Sequence, residues 1–256
     1  MNKYGAVKDK FDERDWKIGG FLIKNAPKLP EIIDRSDRLT PIRDQGDEPA
    51  CVAFAACAMK EYQEFNEGVF SPRYLYKKIK QPQGGSYPRD AMKILQSEGV
   101  PPEECNPYLP QVPTRECPEA KKLAYPNRIK GYARLNTIQE MKQSLFENGP
   151  FVAAFFINQS WEDTRDGIVL GSGAIIGGHA ILICGYDDQK QQFKFKNSWG
   201  TSWGDNGYGY INYNDAQKSL MDSWSSVDVE ESKEDLPVKS WWQTLIEQII
   251  SIFKRK

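Results

Sequence analysis

The strongest constraint on the fold is a change of residue pattern at Gly149-Pro150. Before this point apolar residues recur at helical spacing, and after it they form continuous or alternating runs. The continuous runs at 151–157 and 179–186 and the alternating runs at 192–196 and 208–213 predict strands. Helices in the first half and strands in the second favour an α+β fold, with two lobes and a cleft between them as a natural arrangement.

The helix signals of the first half are local ones. A stripe at positions 52, 55, 56, 59 and 62 predicts a buried central helix from near Ala50 to about Asn66. Ser71 before Pro72 predicts a capped helix through Ile79. Three further helices are predicted from Pro88 to Glu98, from Thr114 or Arg115 to Leu123, and after the capping-box match at Thr137 and Glu140.

Composition narrows the class of protein. The chain has 256 residues, 39% hydrophobic and 27% charged, with a net charge of −1, so charge alone offers no argument for nucleic-acid binding. No run of 18 apolar residues predicts a membrane span, and the polar start of the chain lacks a secretory signal pattern. Five cysteines do not suggest a disulfide scaffold, so we expect reduced thiols and an intracellular, cytoplasmic location.

Cys51 is the first candidate for chemistry. A turn-rich segment, Gln45 to Pro49, leads into the apolar helix, and Cys51 stands where that helix begins. A helix N-terminus favours a thiolate, although a small buried hydrophobic residue is the alternative reading. The chain has one histidine, His179, which excludes a multi-histidine metal site and leaves one imidazole base. Asn197 follows as a polar group that can orient an imidazole.

These residues stand in blocks that resemble the papain family of cysteine peptidases. The matching blocks are Gln45-Gly46 before Cys51-x-Ala53-Phe54, Gly178-His179-Ala180, and Asn197-Ser198-Trp199-Gly200-x-x-Trp203-Gly204-x-x-Gly207-Tyr208, with looser matches at Leu29-Pro30-Glu31, Ser71-Pro72-x-Tyr74-Leu75 and Gly84-Gly85. The resemblance covers about residues 30–230. It implies a helical lobe at about 41–130 whose central helix carries the cysteine, and an antiparallel β-barrel-like lobe at about 131–230.

The resemblance also implies roles. Cys51 would attack the scissile carbonyl as a thiolate, His179 would stabilise that thiolate and protonate the leaving amine, and Asn197 would orient the imidazole. The Gln45 side chain and the Cys51 backbone N–H would form an oxyanion hole.

Further positions are implied around this centre. Trp199 would shield the Asn–His hydrogen bond, while Trp203 is better explained by core packing. Gly84, Gly85 and Gly178 would line the path of the substrate backbone, although an ordinary turn also explains Gly84-Gly85. Specificity would come mainly from an apolar pocket between the lobes, with a contribution from residues 221–224. No cofactor or metal is predicted.

The chain departs from the family pattern close to the nucleophile. Glu48 replaces a cysteine of the family signature, so the usual disulfide from that position cannot form, and a carboxylate near the thiolate would raise its pKa. Val52 stands where the family has an aromatic residue. Cys105 and Cys117 are expected to be reduced thiols.

Segments flank the domain on both sides. Residues 1–29 are a short extension, which we expect to cross or border the cleft and restrain activity, or to be trimmed. Residues 231–256 are predicted as a charged linker and an amphipathic helix at 241–253, too short at 1.5 Å per residue to cross a bilayer core of roughly 30 Å. Docking on protein, lying at a membrane surface and targeting are the alternatives for this helix.

The sequence leaves three functions open. The leading one is an endopeptidase acting on peptide or protein substrates, since no insertion that would block the cleft is visible. A restrained or silent member that binds peptides or partners is the second. An acyl-transferring, ligase-like enzyme is the third, because transfer and hydrolysis share the same acyl-enzyme.

Overall fold

Helix α1 (Cys51–Gln63) runs through the centre of the molecule, and every residue but the last is buried. The computed structural model describes residues 3–15, 28–64, 68–109 and 115–228. The sequence predicts one apolar stripe, yet this helix is enclosed on all sides. Its buried polar residues are paired, since Lys60 Nζ lies 2.5 Å from a Glu64 oxygen and a Glu61 oxygen accepts the Phe70 N–H at 3.0 Å.

The remaining helices differ in how well local signals predict them. They are α2 (Pro72–Ile79), α3 (Pro88–Ser97), α4 (Ala120–Ala124), α5 (Ile138–Glu147), α6 (Ser160–Asp163) and α7 (Tyr213–Ser219). Ser71 caps α2 by accepting the Tyr74 N–H, and Thr137 forms the predicted capping box with Glu140. Helix α4 begins later than predicted, and Tyr213, predicted as the last residue of a strand, is the first residue of α7.

One sheet forms the second lobe. Its strands are β1 (Ile32–Asp34), β2 (Ile129–Arg134), β3 (Phe151–Ile157), β4 (Ile168–Val169), β5 (Gly177–Asp187), β6 (Gln192–Lys196), β7 (Tyr208–Asn212) and β8 (Leu220–Asp228). The order is β2-β8-β3-β5-β6-β7-β4, and β1 pairs with β5. All pairs are antiparallel except β4 with β7, so the sheet is mixed. The α+β class is confirmed, and α1 packs on β5 and β3 between the two lobes.

Strand β8 was missed because its serines look like loop residues. It lies between β2 and β3 in the sheet, and its serines are buried. Ser223 Oγ donates to the Leu135 carbonyl at 2.6 Å, and the hydroxyls of Ser225 and Ser144 bond at 2.6 Å. Hydrogen bonds made by residues distant in the chain therefore allow this polar strand to be buried.

The expectation that Cys105 and Cys117 are reduced thiols is wrong. The two residues form a disulfide, and their Cα atoms lie 5.0 Å apart. Cys117 N–H donates to the Cys105 carbonyl at 2.7 Å, so a backbone contact brings the two sulfurs together. Cys51, Cys57 and Cys184 are free and buried.

Two sequence-level predictions about membranes have different outcomes. Within the described ranges, no helix is both long enough and apolar enough to span a bilayer. The amphipathic helix predicted at 241–253 and the linker before it lie outside the described residues.

Candidate active site

Cys51 is the first residue of α1, and its side chain is fully buried. Burial raises the pKa of the Cys51 thiol, although hydrogen bonds from the backbone of Ala180, Gly5 and Val52 act in the opposite direction. The sulfur therefore lies beside Ala180, the residue after His179 in β5. In this enclosed setting the neutral thiol is favoured over the thiolate.

His179 is oriented by Asn197, which directly follows β6. Because β5 and β6 are antiparallel neighbours, their pairing brings the two side chains together. His179 Nε2 lies 2.8 Å from Asn197 Oδ1, which also accepts the Ser198 backbone N–H at 2.8 Å. The amide oxygen can only accept, so Nε2 carries the proton and Nδ1 keeps its lone pair. Nδ1 has no hydrogen-bond partner among the described residues, which leaves it as the nitrogen able to take a thiol proton.

Two tryptophans enclose the imidazole. The Trp199 ring lies over His179 with centroids 4.3 Å apart, and Trp161 meets His179 edge-on at 6.1 Å. Burial is the main cause that lowers the pKa of His179 to about 4, because it disfavours the charged ring. Trp161 was not predicted, since no motif marks it. Trp203 is packed in the core and donates Nε1–H to the Trp161 carbonyl at 2.6 Å.

The Gln45 side-chain amide is held in one orientation. Ser198 Oγ donates to Gln45 Oε1 at 2.7 Å, which turns Nε2 towards the carbonyl oxygens of Lys3 and Glu48, at 2.9 and 2.8 Å. Tyr108 OH donates to the Gln45 backbone carbonyl at 2.8 Å. Gln45 is fully buried, so its amide N–H is preorganised to bind a carbonyl oxygen. Sequence reasoning missed Ser198 and Tyr108 as positioning residues, although Ser198 lies inside a matched block.

Glu48, which departs from the family pattern close to Cys51, forms an ion pair with Arg73. Its carboxylate lies 2.7 Å from the Arg73 guanidinium. Arg73 therefore neutralises the carboxylate that the sequence placed near the thiolate.

The predicted glycines line a narrow path. A side chain at Gly178 would lie 2.2 Å from the Ala6 carbonyl oxygen, and one at Gly85 would lie 2.7 Å from the Gly5 carbonyl oxygen. Gly85 also has φ +73°, and Gly84 has φ +89° in the turn before it. Ser86 makes the backbone hydrogen bonds from this wall to residues 5 and 7, whereas Gly84 and Gly85 bond to Gln81 within their own turn.

Comparisons with known proteins show which family the chain resembles. The model of the papain family of cysteine proteases matches residues 29–228. The chain belongs to this family. Xylellain, a cysteine protease from Xylella fastidiosa, superposes with a TM-score of 0.77 and 25% identity over 89% of this chain and 97% of that one.

Two curated relatives show different extents of similarity. The uncharacterized peptidase C1-like protein L477 of Acanthamoeba polyphaga mimivirus is 30% identical over 257 residues, 82% of this chain and 81% of that protein. The gamete and mating-type specific protein A of Dictyostelium discoideum is 27% identical over 188 residues, 69% of this chain. The match spans only 41% of the length of that protein.

In this papain-family chain, an N-terminal arm (residues 3–15) lies in the cleft. Ala6 N–H donates to the Gly178 carbonyl at 2.9 Å, and Val7 N–H donates to the Ser86 carbonyl at 2.9 Å. Ser86 N–H in turn donates to the Gly5 carbonyl at 2.7 Å. The Lys3 carbonyl accepts the hydrogen bond from the Gln45 side-chain amide. The arm therefore fills the space beside Cys51 that an extended peptide would need.

The arm passes Cys51 at a glycine, Gly5. A Cβ added at Gly5 would lie 2.1 Å from the Pro49 carbonyl oxygen, far inside contact distance. Ala6 is buried in the apolar cluster that contains Cys51, Ala180 and Met221. Gly5 is thus the residue at which the arm allows no side chain.

Proposed function

We propose that this chain is a cysteine peptidase that cleaves internal peptide bonds through an acyl-enzyme on Cys51. The main observation is that Asn197 holds the His179 imidazole at 2.8 Å and that its other nitrogen, Nδ1, has no hydrogen-bond partner among the described residues. Ala180, the next residue on the same strand, contacts the Cys51 sulfur. Acyl transfer requires a nucleophile, a base and an orienting group, and these residues supply one of each.

The chemistry follows from the geometry. The Cys51 thiol transfers its proton to His179 Nδ1, and the sulfur attacks the substrate carbonyl carbon. His179 then donates that proton to the leaving amine, which departs and leaves a thioester on Cys51. Water, deprotonated by the same nitrogen, attacks the thioester and releases the acid. Asn197 keeps Nε2 protonated throughout, so the proton is exchanged at Nδ1.

The arm itself supports the position of the oxyanion hole. The Lys3 carbonyl accepts from Gln45 Nε2 at 2.9 Å, as a scissile carbonyl would. Negative charge that develops on the oxygen of a scissile carbonyl would be stabilised by the Gln45 side-chain amide together with the Cys51 backbone N–H. Loss of the Gln45 amide should reduce the rate on the order of 10²–10³-fold.

The path of the arm also supports cleavage of internal bonds. Lys3 and Tyr4 contact Trp199 on one side of the cysteine, while Ala6 and Val7 pair with the cleft walls on the other. The cleft therefore accepts backbone on both sides of the reacting sulfur. An exopeptidase would need one of these sides to be closed.

The test requires an open cleft, which the full-length Gly5→Val protein should provide because valine collides with Pro49. We expect this protein to cleave members of a broad peptide panel, and Cys51→Ala in the same background to lose on the order of 10⁴-fold or more. Cys57→Ala is the matched control, since Cys57 is another buried free cysteine of α1. Its activity should be unchanged.

Product masses separate the remaining alternatives. Hydrolysis yields free acids, whereas an acyl-transferring enzyme given an added amine yields the corresponding amide. Equal and undetectable cleavage by the Gly5→Val protein and its Cys51→Ala derivative would overturn the peptidase proposal and favour a peptide-binding module.

A further inference from the structure

Beyond Val7 the arm inserts a carboxyl group into a second, polar pocket. Asp9 is buried, and its Oδ2 accepts the Trp224 indole N–H at 2.9 Å and the Arg89 backbone N–H at 3.1 Å. The Asp9 backbone N–H donates to Asp222 Oδ2 at 2.7 Å. Arg89 lies in the first turn of α3, so the pocket presents an indole N–H and a helix N-terminal N–H to one side chain.

The charges around this pocket are already paired with one another. Arg134 hydrogen-bonds Asp222 through Nη1, and its Nε lies 3.1 Å from Asp15. Arg89 also pairs with Asp15, at 2.5 Å. The nearest guanidinium nitrogen lies 3.8 Å from the Asp9 carboxyl. The direct donors to Asp9 are therefore both neutral.

The group that faces Asp9 from β8 is itself a carboxyl. Burial, and then the charge of Asp222, raise the pKa of Asp9 to about 6, and burial also raises the pKa of Asp222. The charged groups that act on this pair are Arg89 from α3, Arg134 from β2 and Lys8 from the arm, and Asp15 of the arm pairs with both arginines. With the arginines engaged, the pocket suits a short side chain that accepts hydrogen bonds but carries no charge.

We propose that the pocket formed by the Arg89 N–H, the Trp224 indole and Asp222 is a subsite of the peptide cleft that selects an Asp carboxylic acid or an Asn amide. In this structure Asp9 of the arm occupies the subsite. Asp9 follows Gly5 by four residues, so the subsite lies about 13 Å along the cleft from Cys51 at roughly 3.3 Å per extended residue. The inference rests on the proposed function, because it names the side chain that substrates would place there.

The binding test uses a full-length protein with an emptied cleft: Gly5→Val to displace the arm, Asp9→Ala to vacate the pocket, and Cys51→Ala to prevent turnover. The probes are three fluorescent peptides with the sequence of residues 3–15, which carry Asp, Asn or Ala at the position of Asp9 and bring the Asp15 carboxylate that pairs with Arg89 and Arg134. Fluorescence anisotropy gives the dissociation constants at pH 5 and pH 7.5. The readout needs no catalysis, so failure of the peptidase proposal does not affect it.

At pH 5 the Asp and Asn peptides should bind at least tenfold more tightly than the Ala peptide. A carboxyl whose pKa rises to about 6 on binding takes up a proton, so binding is strongest below its free pKa and is lost as pH rises through 6. The Asp peptide should therefore weaken about tenfold between pH 5 and pH 7.5, whereas the Asn peptide should not change. Trp224→Phe keeps a ring but removes the donor, and should bring the Asp and Asn peptides close to the Ala peptide.

Three outcomes would overturn the proposal: equal binding of all three peptides, binding of none, or an Asp peptide that binds more tightly as pH rises, which would indicate a site for the anion. A test within the chain adds a second measure. At pH 7.5, Asp9→Asn should keep Cys51 as slowly alkylated as in the wild type or slower, while Asp9→Ala should expose it. Faster alkylation of Asp9→Asn than of Asp9→Ala would contradict the assignment.

Discussion

Gly5→Val should open the active site of the full-length protein. Gly5 passes so close to Pro49 that a Cβ would lie 2.1 Å from its carbonyl oxygen and 2.5 Å from its carbonyl carbon. Ordinary contacts of a Cβ lie at 3.4–4 Å, so the arm must move by more than 1 Å. The residue belongs to the arm, and the substitution leaves the catalytic groups themselves unchanged.

The size of the effect follows from the hydrogen bonds on either side of Gly5. A shift of this size breaks the bonds to the Gly5 and Lys3 carbonyls, at 2.7 and 2.9 Å, and strains the Ala6 bond to Gly178 at 2.9 Å. At about 1 kcal/mol for each bond, the loss is about 2–3 kcal/mol. Since 1.4 kcal/mol corresponds to a factor of ten, docking of the arm should weaken by roughly 30–150-fold.

The assay is the rate at which a small haloacetamide alkylates Cys51 in the native protein, followed by mass spectrometry of the digest. We expect a rise of at least tenfold over the wild type. Gly131→Val is the matched control, because nothing lies within 4 Å of a Cβ at that strand position. Cys57 and Cys184 are buried in the same protein and should stay unmodified. Equal Cys51 rates in wild type, Gly5→Val and Gly131→Val would refute the reasoning.

Three further predictions concern the site and the helical lobe. Ser198→Ala in the Gly5→Val background frees the Gln45 amide and should lower kcat about tenfold with little change in KM, measured by steady-state kinetics. His179 is the only histidine, so its NMR titration is unambiguous: burial keeps its pKa near 4 in the closed protein, and Gly5→Val should raise that pKa because water stabilises the imidazolium. An unchanged titration would show that the arm does not control access to the ring. Thiol counting on the denatured, unreduced protein should find three reactive cysteines of five, and five after reduction.

Local features account for the parts of the fold that sequence predicts well. The caps at Ser71 and Thr137 act on N–H groups three residues away, so neighbouring residues suffice to place α2 and α5. The apolar run of β3 is recognisable for the same reason. Helix α7 has a cap of the same kind, since Asn212 accepts the Asp215 N–H, whereas the buried serines of β8 are satisfied by residues distant in the chain, such as Leu135 and Ser144.

Some residues of the candidate site are recognisable from the sequence, and others are found only in the structure. Cys51, His179, Asn197 and Gln45 stand in short blocks whose order is visible in the sequence. The structure pairs His179 with Asn197 and places Ala180, the residue after His179, beside the Cys51 sulfur. Ser198 orients Gln45 from a different segment, and Trp161 covers His179 from α6. These contacts join residues far apart in the chain, and no local pattern marks them.

The sequence by itself determined the α+β class, the central helix that begins at Cys51, and the residue types available for the proposed acyl transfer. These depend on side-chain chemistry and on interactions within a few residues. The tertiary structure alone decided that Cys105 joins Cys117, that Ser86 pairs with the arm, and that Asp9 fills a pocket of paired charges. Each of these depends on which distant backbone segments meet and on how much water they exclude, and burial then changes the acidity of the groups enclosed there.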